Sequence, residues 1–316
     1  MSQEPVIKVM NLSRWYGQVI GINDISLEIQ PGVTGLLGPN GAGKSTLMKV
    51  MTGQLRPSKG AVRIFGYPVW NNPLVLNRIG LCPEQDAFYE DMSSFAFVTY
   101  LARLHGFLVH DAEKVATRAL EIVDLKSRMM DPIRTYSKGM RQRTKLAQAI
   151  AHDPDVLFLD EPLTGTDPIG RRRIIDLILE LSGRGKTVVV SSHVLHEVES
   201  MTSNILLVNK GRVIADGDIF QIREMIDNHP HTVYIDADEP RALARLLVDA
   251  KDVLSIQFDG GGLLVSTNDP AACYMRIPAL ALEHGIEIRR LTSPDNNLEA
   301  VFKYLTEMGY QQRAGA

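Results

Sequence analysis

The stretch "GPNGAGKST", Gly38 to Thr46, has the residue types and spacing to hold a triphosphate. Gly38, Gly41 and Gly43 free the backbone to curl, so that N–H groups can surround phosphate oxygens. Lys44 supplies an ammonium that reaches β- and γ-phosphates, and the Ser45 hydroxyl can ligate Mg²⁺. Pro39, Asn40, Ala42 and Thr46 complete the loop. An apolar run, "VTGLLG", precedes it and a helical pattern, "LMKVMTG", follows. That context puts the partial positive charge of a helix N-terminus on the same phosphates.

A second stretch, "VLFLDEP", ends an apolar run in two acids. Asp160 at the strand tip suits Mg²⁺ held through water, and Glu161 suits a general base beside an attacking water. Taken alone, the pair could equally be N-capping acids on a loop. A third stretch, "YSKGMRQR" from Tyr136, has a serine at a helix entry and cationic side chains after it. Ser137 and Gly139 match two of the five positions of the nucleotide-sensing pattern Leu-Ser-Gly-Gly-Gln. Tyr136, Lys138 and Met140 depart from it. A capped helix with a basic face is the alternative.

These residues need elements to carry them. Short apolar runs alternate with helical patterns up to about Asn209, which predicts a mainly parallel sheet with covered faces. "AVRIFG", "RIGLCP", "VLFLD" and "TVVVSS" read as strands, and "NILLVNKGRVIADG" as a hairpin turning at Lys210–Gly211. Helices are expected over Arg171–Leu181 and Val194–Met201, and the stretch Ser93–Ala151 reads as an inserted helical subdomain. Beyond Asp227 the order becomes strand–helix–strand–strand–helix–strand, a ferredoxin-like α+β pattern closed by a helix in "NNLEAVFKYLTEMG". A boundary near His229–Pro230 gives an ATP-binding domain, 1–228, with the helical subdomain at about 86–153, and an accessory domain, 229–316.

The bulk numbers fit this division. A chain of 316 residues, 45% hydrophobic and 22% charged, has ample core for two domains. Its formal net charge of -3 excludes an obvious polyanion binder. The two cysteines, Cys82 and Cys273, suggest neither a disulfide framework nor a metal site, as in a reducing cytosol. "MSQEPVIKVM" lacks the basic and apolar regions of a secretory signal. No apolar run approaches the ~20 residues of a membrane helix, so any membrane role requires a separate spanning protein.

The order of phosphate loop, signature-like helix start, apolar strand with Asp-Glu-Pro, then Ser-His resembles the nucleotide-binding subunit of ATP-binding-cassette (ABC) transporters. The resemblance covers about Val6 to Gly217. It implies an α/β P-loop NTPase fold of ABC type, with a mixed sheet core and an inserted helical subdomain. It implies that Tyr16 stacks on adenine, with Trp15 the neighbouring alternative and a core role the bland one. It implies that His193 contacts the γ-phosphate and that Asp167 lies in a loop crossing to the partner. The switch segment "RIGLCPEQDAFYEDMS" carries Glu84 where the family has glutamine, with Gln85 one residue later. Glu84 is favoured as the equivalent, toward Mg²⁺ or the attacking water, and Gln85 stays open. "RRR", Arg171–Arg173, sits at the expected helix start, where positive charge opposes the dipole; an exposed face or a partner contact would account for it.

The resemblance further implies ATP and Mg²⁺ as ligands and two cassettes facing head to tail around two ATPs. The second cassette would be another copy or a paralogous subunit. With the appended domain, the chain resembles the ATPases of two-component exporters of the drug- or polysaccharide-efflux type. Those work with an integral membrane permease, which would hold the chain peripherally on the cytoplasmic face of the membrane. The competing reading is a soluble ABC ATPase acting on ribosomes or nucleic acid. One phosphate loop, no sustained heptad run and no basic excess weigh against it. Intact Lys44, Asp160 and Glu161 weigh against an inactive ATP sensor.

Overall fold

The computed structural model describes residues 4–219, 222 and 231–293. The chain divides into two compact units, Met1–Asp218 and Ile219–Ala316. The boundary expected at His229–Pro230 and the closing helix of "NNLEAVFKYLTEMG" lie outside the described residues.

The first unit opens with β1 (Ile7–Tyr16) and β2 (Val19–Ile29), joined through Gly17 in the left-handed region. The two strands pair antiparallel, as the short connection dictates. With β4 (Lys59–Ile64) and β5 (Tyr67–Pro68) they form a four-stranded antiparallel sheet, ordered β2-β1-β4-β5. Reading the N-terminal runs as part of one parallel alternation missed this second sheet. The alternating burial along β2 is its signature: one face is packed and the other wet.

The main sheet has six strands, ordered β10-β9-β3-β8-β7-β6. They are β3 (Val33–Leu37), β6 (Ile79–Cys82), β7 (Val156–Asp160), β8 (Thr187–Ser192), β9 (Asn204–Asn209) and β10 (Arg212–Asp218). All neighbours are parallel except β10, which turns back antiparallel on β9 at Lys210–Gly211. Every residue of β7 and β8 is buried, as befits strands covered on both faces. Phe158 and Val189 join a core with α1 (Lys44–Met51) and the antiparallel sheet. Leu157, Leu159, Val188 and Val190 face the opposite core with α6 (Pro168–Gly183) and the helical subdomain. Each such side chain contributes about 1.5–3 kcal/mol by leaving water.

Short α2 (Pro73–Leu76) leads toward β6. The stretch Ser93–Ala151 carries α3 (Ser94–Leu104), α4 (Val109–Ile122) and α5 (Lys138–Ile150), with two 3-10 turns between α4 and α5. Tyr136 explains its own departure from leucine. Its ring is buried in this helical core, its hydroxyl donates to the Arg128 carbonyl (2.7 Å), and it shares a 2.9 Å hydrogen bond with Ser94. Helix α7 (Leu195–Glu199) is shorter than the expected Val194–Met201.

Helix α6 begins three residues before the expected Arg171. Asp167 caps it by accepting from the Gly170 amide at 3.3 Å, and Pro168 occupies its first position. The three arginines therefore lie inside the helix rather than at its exposed start. Arg171 pairs with Glu197 at 3.2 Å, Arg172 with Asp176 at 3.1 Å, and Arg173 with Asp124.

In the second unit β11 (His231–Ala237), α8 (Pro240–Leu247), β12 (Val253–Asp259), β13 (Gly262–Thr267), α9 (Pro270–His284) and β14 (Ile288–Thr292) follow one another. The strands pair antiparallel in the order β12-β13-β11-β14. Leu243 and Leu247 of α8 and Cys273 and Ile277 of α9 close its own core with Val233, Ile235, Leu263 and Val265.

Candidate active site

Strand order decides which residues meet. β7, β8 and β3 are adjacent and parallel, so their C-terminal ends bring three loops together. These carry Gly38–Thr46, Asp160–Glu161 and His193, at the edge where open parallel sheets bind ligands.

The glycine loop borders a cavity of about 470 Å³ lined by Pro39 to Thr46, Tyr16, Val19, Ile20, Gly21, Glu84 and Glu161. Gly43 precedes α1 with φ 107°, and a Cβ there would stand 2.7 Å from the Gly21 carbonyl oxygen. The β9–β10 turn braces the loop from outside: the Gly211 amide donates to the Ala42 carbonyl at 2.8 Å. Lys44 is 7% exposed, and its Nζ donates to the carbonyls of Gly38 (2.6 Å) and Pro39 (3.3 Å). Burial lowers its pKa, against the pull of Glu161, Asp160 and Glu84.

Glu161 is 8% exposed and 3.9 Å from the Lys44 ammonium. Its φ of 48° is in the left-handed region, which costs a residue with a side chain about 1–3 kcal/mol. Two contacts hold it there. The Ser191 hydroxyl accepts from the Glu161 amide at 3.0 Å while donating to the Asp160 carboxylate. His193 Nδ1 lies 3.0 Å from both Glu161 carboxylate oxygens, so a protonated Nδ1 donates to the pair. Burial pushes the Glu161 carboxyl above the usual carboxylate range, with His193 and Lys44 pulling it back. A carboxylate so raised is a better proton acceptor than an exposed one.

Ser191 went unnoticed in the sequence. Its part depends on β7 and β8 lying side by side, which no local spacing reveals. Val19 and Ile20, with Tyr16, give the cavity an apolar end suited to a base. Trp15, the neighbouring candidate, is not among the lining residues. Glu84 is among them and Gln85 is not, although both are exposed.

Ser137, Gly139 and Asp167 line a different cavity, of about 200 Å³, which shares no residue with the first. Ser137 caps α5 by accepting from the Met140 amide at 3.3 Å. Lys138, which replaces a glycine of the pattern, takes up ordinary helix and packs toward Gly165.

The sequence profile described as "ABC transporter" matches residues 22–164. The bacitracin transport ATP-binding protein of Enterococcus faecalis is 32% identical, over 96% of this chain and 97% of that one. The daunorubicin/doxorubicin resistance ATP-binding protein of Streptomyces peucetius is 30% identical, over 97% and 94%. Among solved structures, an ATP-binding subunit of an ABC transporter superposes with a TM-score of 0.64 at 26% identity, over 70% of this chain and 93% of that one. A cassette fold, a phosphate loop beside an Asp-Glu strand end, and relatives matched along nearly their whole length agree: the chain belongs to the ABC transporter family, as one of its ATP-binding ATPase subunits.

Proposed function

We propose that the protein hydrolyses ATP as the motor subunit of an exporter, closing head to tail on a second copy or a paralogous subunit and driving a separate membrane permease. The observation that carries this reading is the separation of the two cavities. Phosphate loop and base line one, Ser137 and Gly139 another, which supports a γ-phosphate that meets both across two chains. Loss of the γ-phosphate then removes the charge that joins them, a population shift driven by differential contacts. Export is supported by the relatives named for bacitracin transport and for drug resistance. Among the described residues no helix is long and apolar enough to cross a membrane, so the permease is a separate protein in this reading. It would hold the subunit at the cytoplasmic face.

In catalysis Glu161 takes the proton of the attacking water, His193 orients the carboxylate and contacts the γ-phosphate, and Lys44 bears on the β- and γ-phosphates. Tyr16 stacks on adenine. Ser45, Asp160 and Glu84 are hard oxygen donors too few to cage an ion alone, which suits Mg²⁺, an ion that keeps waters and shares substrate phosphates. When bound, Mg²⁺ supplies charge neutralisation on the phosphates. Within the second unit, which begins at Ile219, we read residues from about 229 onward as a ferredoxin-like accessory domain, on the strength of the strand order.

Sedimentation of Glu161→Gln tests this reading. With ATP and Mg²⁺ the variant runs as a dimer that dissociates when ADP replaces ATP, and turnover falls about 10²–10⁴-fold. Turnover at the wild-type rate, or a monomer at every ATP concentration, would remove Glu161 as the base or the dimer as the working form.

A further inference from the structure

From Ile29 to Pro83 the chain carries no aspartate or glutamate, in a protein whose formal net charge is -3. The cations of that run are Lys44, Lys49, Arg56, Lys59, Arg63 and Arg78. Lys44 belongs to the phosphate site, and Arg78 is neutralised by Asp155 at 2.6 Å. Lys49, Arg56, Lys59 and Arg63 are exposed, and none of them forms an ion pair with another described residue. Lys59 and Arg63 are on the wet face of β4, whose Val62 and Ile64 point into the core. On that face Glu28 of β2 is already taken by Lys8 of β1, at 2.6 Å. Arg56 lies in the link from α1 to β4, and Lys49 is in the last turn of α1. The end of α1 packs against the same edge: a Cβ on Gly53 would stand 2.9 Å from the Leu76 side chain and 3.2 Å from that of Val69.

Beside these cations the edge is apolar. β5 is the outer strand of its sheet and opens with Tyr67, 63% exposed. Trp70 follows at 44% and Leu74, in α2, at 81%. Two bonds hold the segment to the sheet: the Val69 amide donates to the Val62 carbonyl at 3.1 Å, and the Asn72 side-chain amide to the Pro68 carbonyl at 2.9 Å. One exposed apolar side chain is ordinary; two aromatics and a leucine in one short segment, next to unpaired cations, make an amphipathic edge. Tryptophan and tyrosine settle at the headgroup level of a bilayer, leucine reaches the acyl boundary, and lysine and arginine are drawn to anionic headgroups. A nucleic acid would use the cations but gain nothing from Leu74. We propose that this edge, built from β4, β5 and α2, lies against an anionic lipid surface, in a contact separate from the permease. The inference depends on the reading above that holds the subunit at the cytoplasmic face. Held by permease and lipid together, the subunit binds more tightly than by either alone.

Flotation of the full-length protein with phosphatidylcholine vesicles, with and without phosphatidylglycerol, tests the contact in the absence of any permease. The chain has two tryptophans, Trp15 and Trp70, so Trp15→Phe leaves Trp70 as the only one. The protein should float only with vesicles that contain phosphatidylglycerol, and added salt should release it. Trp70 emission should shift to the blue on binding and be quenched by brominated acyl chains. Lys59→Glu combined with Arg63→Glu should lower the partition coefficient about tenfold or more. Trp70→Ser combined with Leu74→Ser should lower it by about the same factor through lost apolar burial. All four side chains are exposed, so the variants should fold. No flotation leaves the edge to the permease and overturns the proposal. So does equal flotation with both vesicles, full flotation of the charge-reversed variant, or binding that leaves Trp70 emission unchanged. An oligonucleotide that shifts Trp70 emission and strips the protein from the vesicles assigns the edge to nucleic acid instead, and also overturns it. The exporter reading falls on a different result, the loss of ATP-driven dimerisation in Glu161→Gln protein, which Lys59→Glu with Arg63→Glu should leave intact.

Discussion

Glu161 is held in left-handed backbone between the Ser191 hydroxyl and the His193 ring, with its carboxyl pushed upward by burial. A general base works only when ionised, so the acid limb of kcat should lie above the ordinary glutamate range near about 4.3. His193 opposes the upward shift by bonding to the charged form. In His193→Ala that support is lost, Glu161 rises further, and the acid limb of the pH–rate profile moves to higher pH as kcat falls. A limb that stays in place would separate His193 from the base. That Glu161 and the glycine loop belong to one site was legible in the sequence, because each motif spans a few consecutive residues. Ser191 was not, since it bonds to a residue brought near only by the fold. The ambiguity between Glu84 and Gln85 is of the same kind: one position of slip in a loop is invisible until a cavity wall takes one side chain and leaves the other.

At the scale of elements, periodicity located β3, β6, β7, β8 and the β9–β10 hairpin, because buried parallel strands read as unbroken apolar runs. It also found β4, in "AVRIFG", but not β1, β2 or β5, nor that these four form a separate antiparallel sheet. It set the start of α6 too late, at Arg171, when Asp167 is the cap and Pro168 the first helical residue. One junction between elements bears on stability. His152, beyond the C-terminal end of α5, has Nε2 3.0 Å from the Ile79 carbonyl of β6, and its ring stacks on His105 at 3.8 Å between centroids. Burial first, then His105, lowers the His152 pKa from an ordinary 6.5 to about 4. The unfolded chain therefore binds a proton between these values that the folded one refuses. Stability is full above pH 6.5 and falls as the pH drops toward 4. Thermal unfolding across that window should show a decline that His152→Gln reduces. An identical decline in the variant would assign the acid sensitivity elsewhere.

For the whole molecule, the observation that matters most is that the proposed site residues line two different cavities. The first holds the phosphate loop, Glu84 and Glu161; the second holds Ser137, Gly139 and Asp167. Sequence motifs supplied both lists of residues and, through family resemblance, the expectation that they meet across two copies. Their placement in separate cavities required the fold. Asp167 and Ser137 each cap a helix within their own chain, a role that a lone subunit satisfies fully. What distinguishes the second role is dependence on a partner, and mixing measures that dependence. A chain carrying Ser137→Arg keeps its phosphate loop, and one carrying Lys44→Ala keeps its Ser137 surface. Each should be inactive alone, and combining the two should restore ATP hydrolysis, because one site of the mixed pair is built from two intact halves. No recovery on mixing, or full activity of Ser137→Arg by itself, would contradict a site shared between two chains.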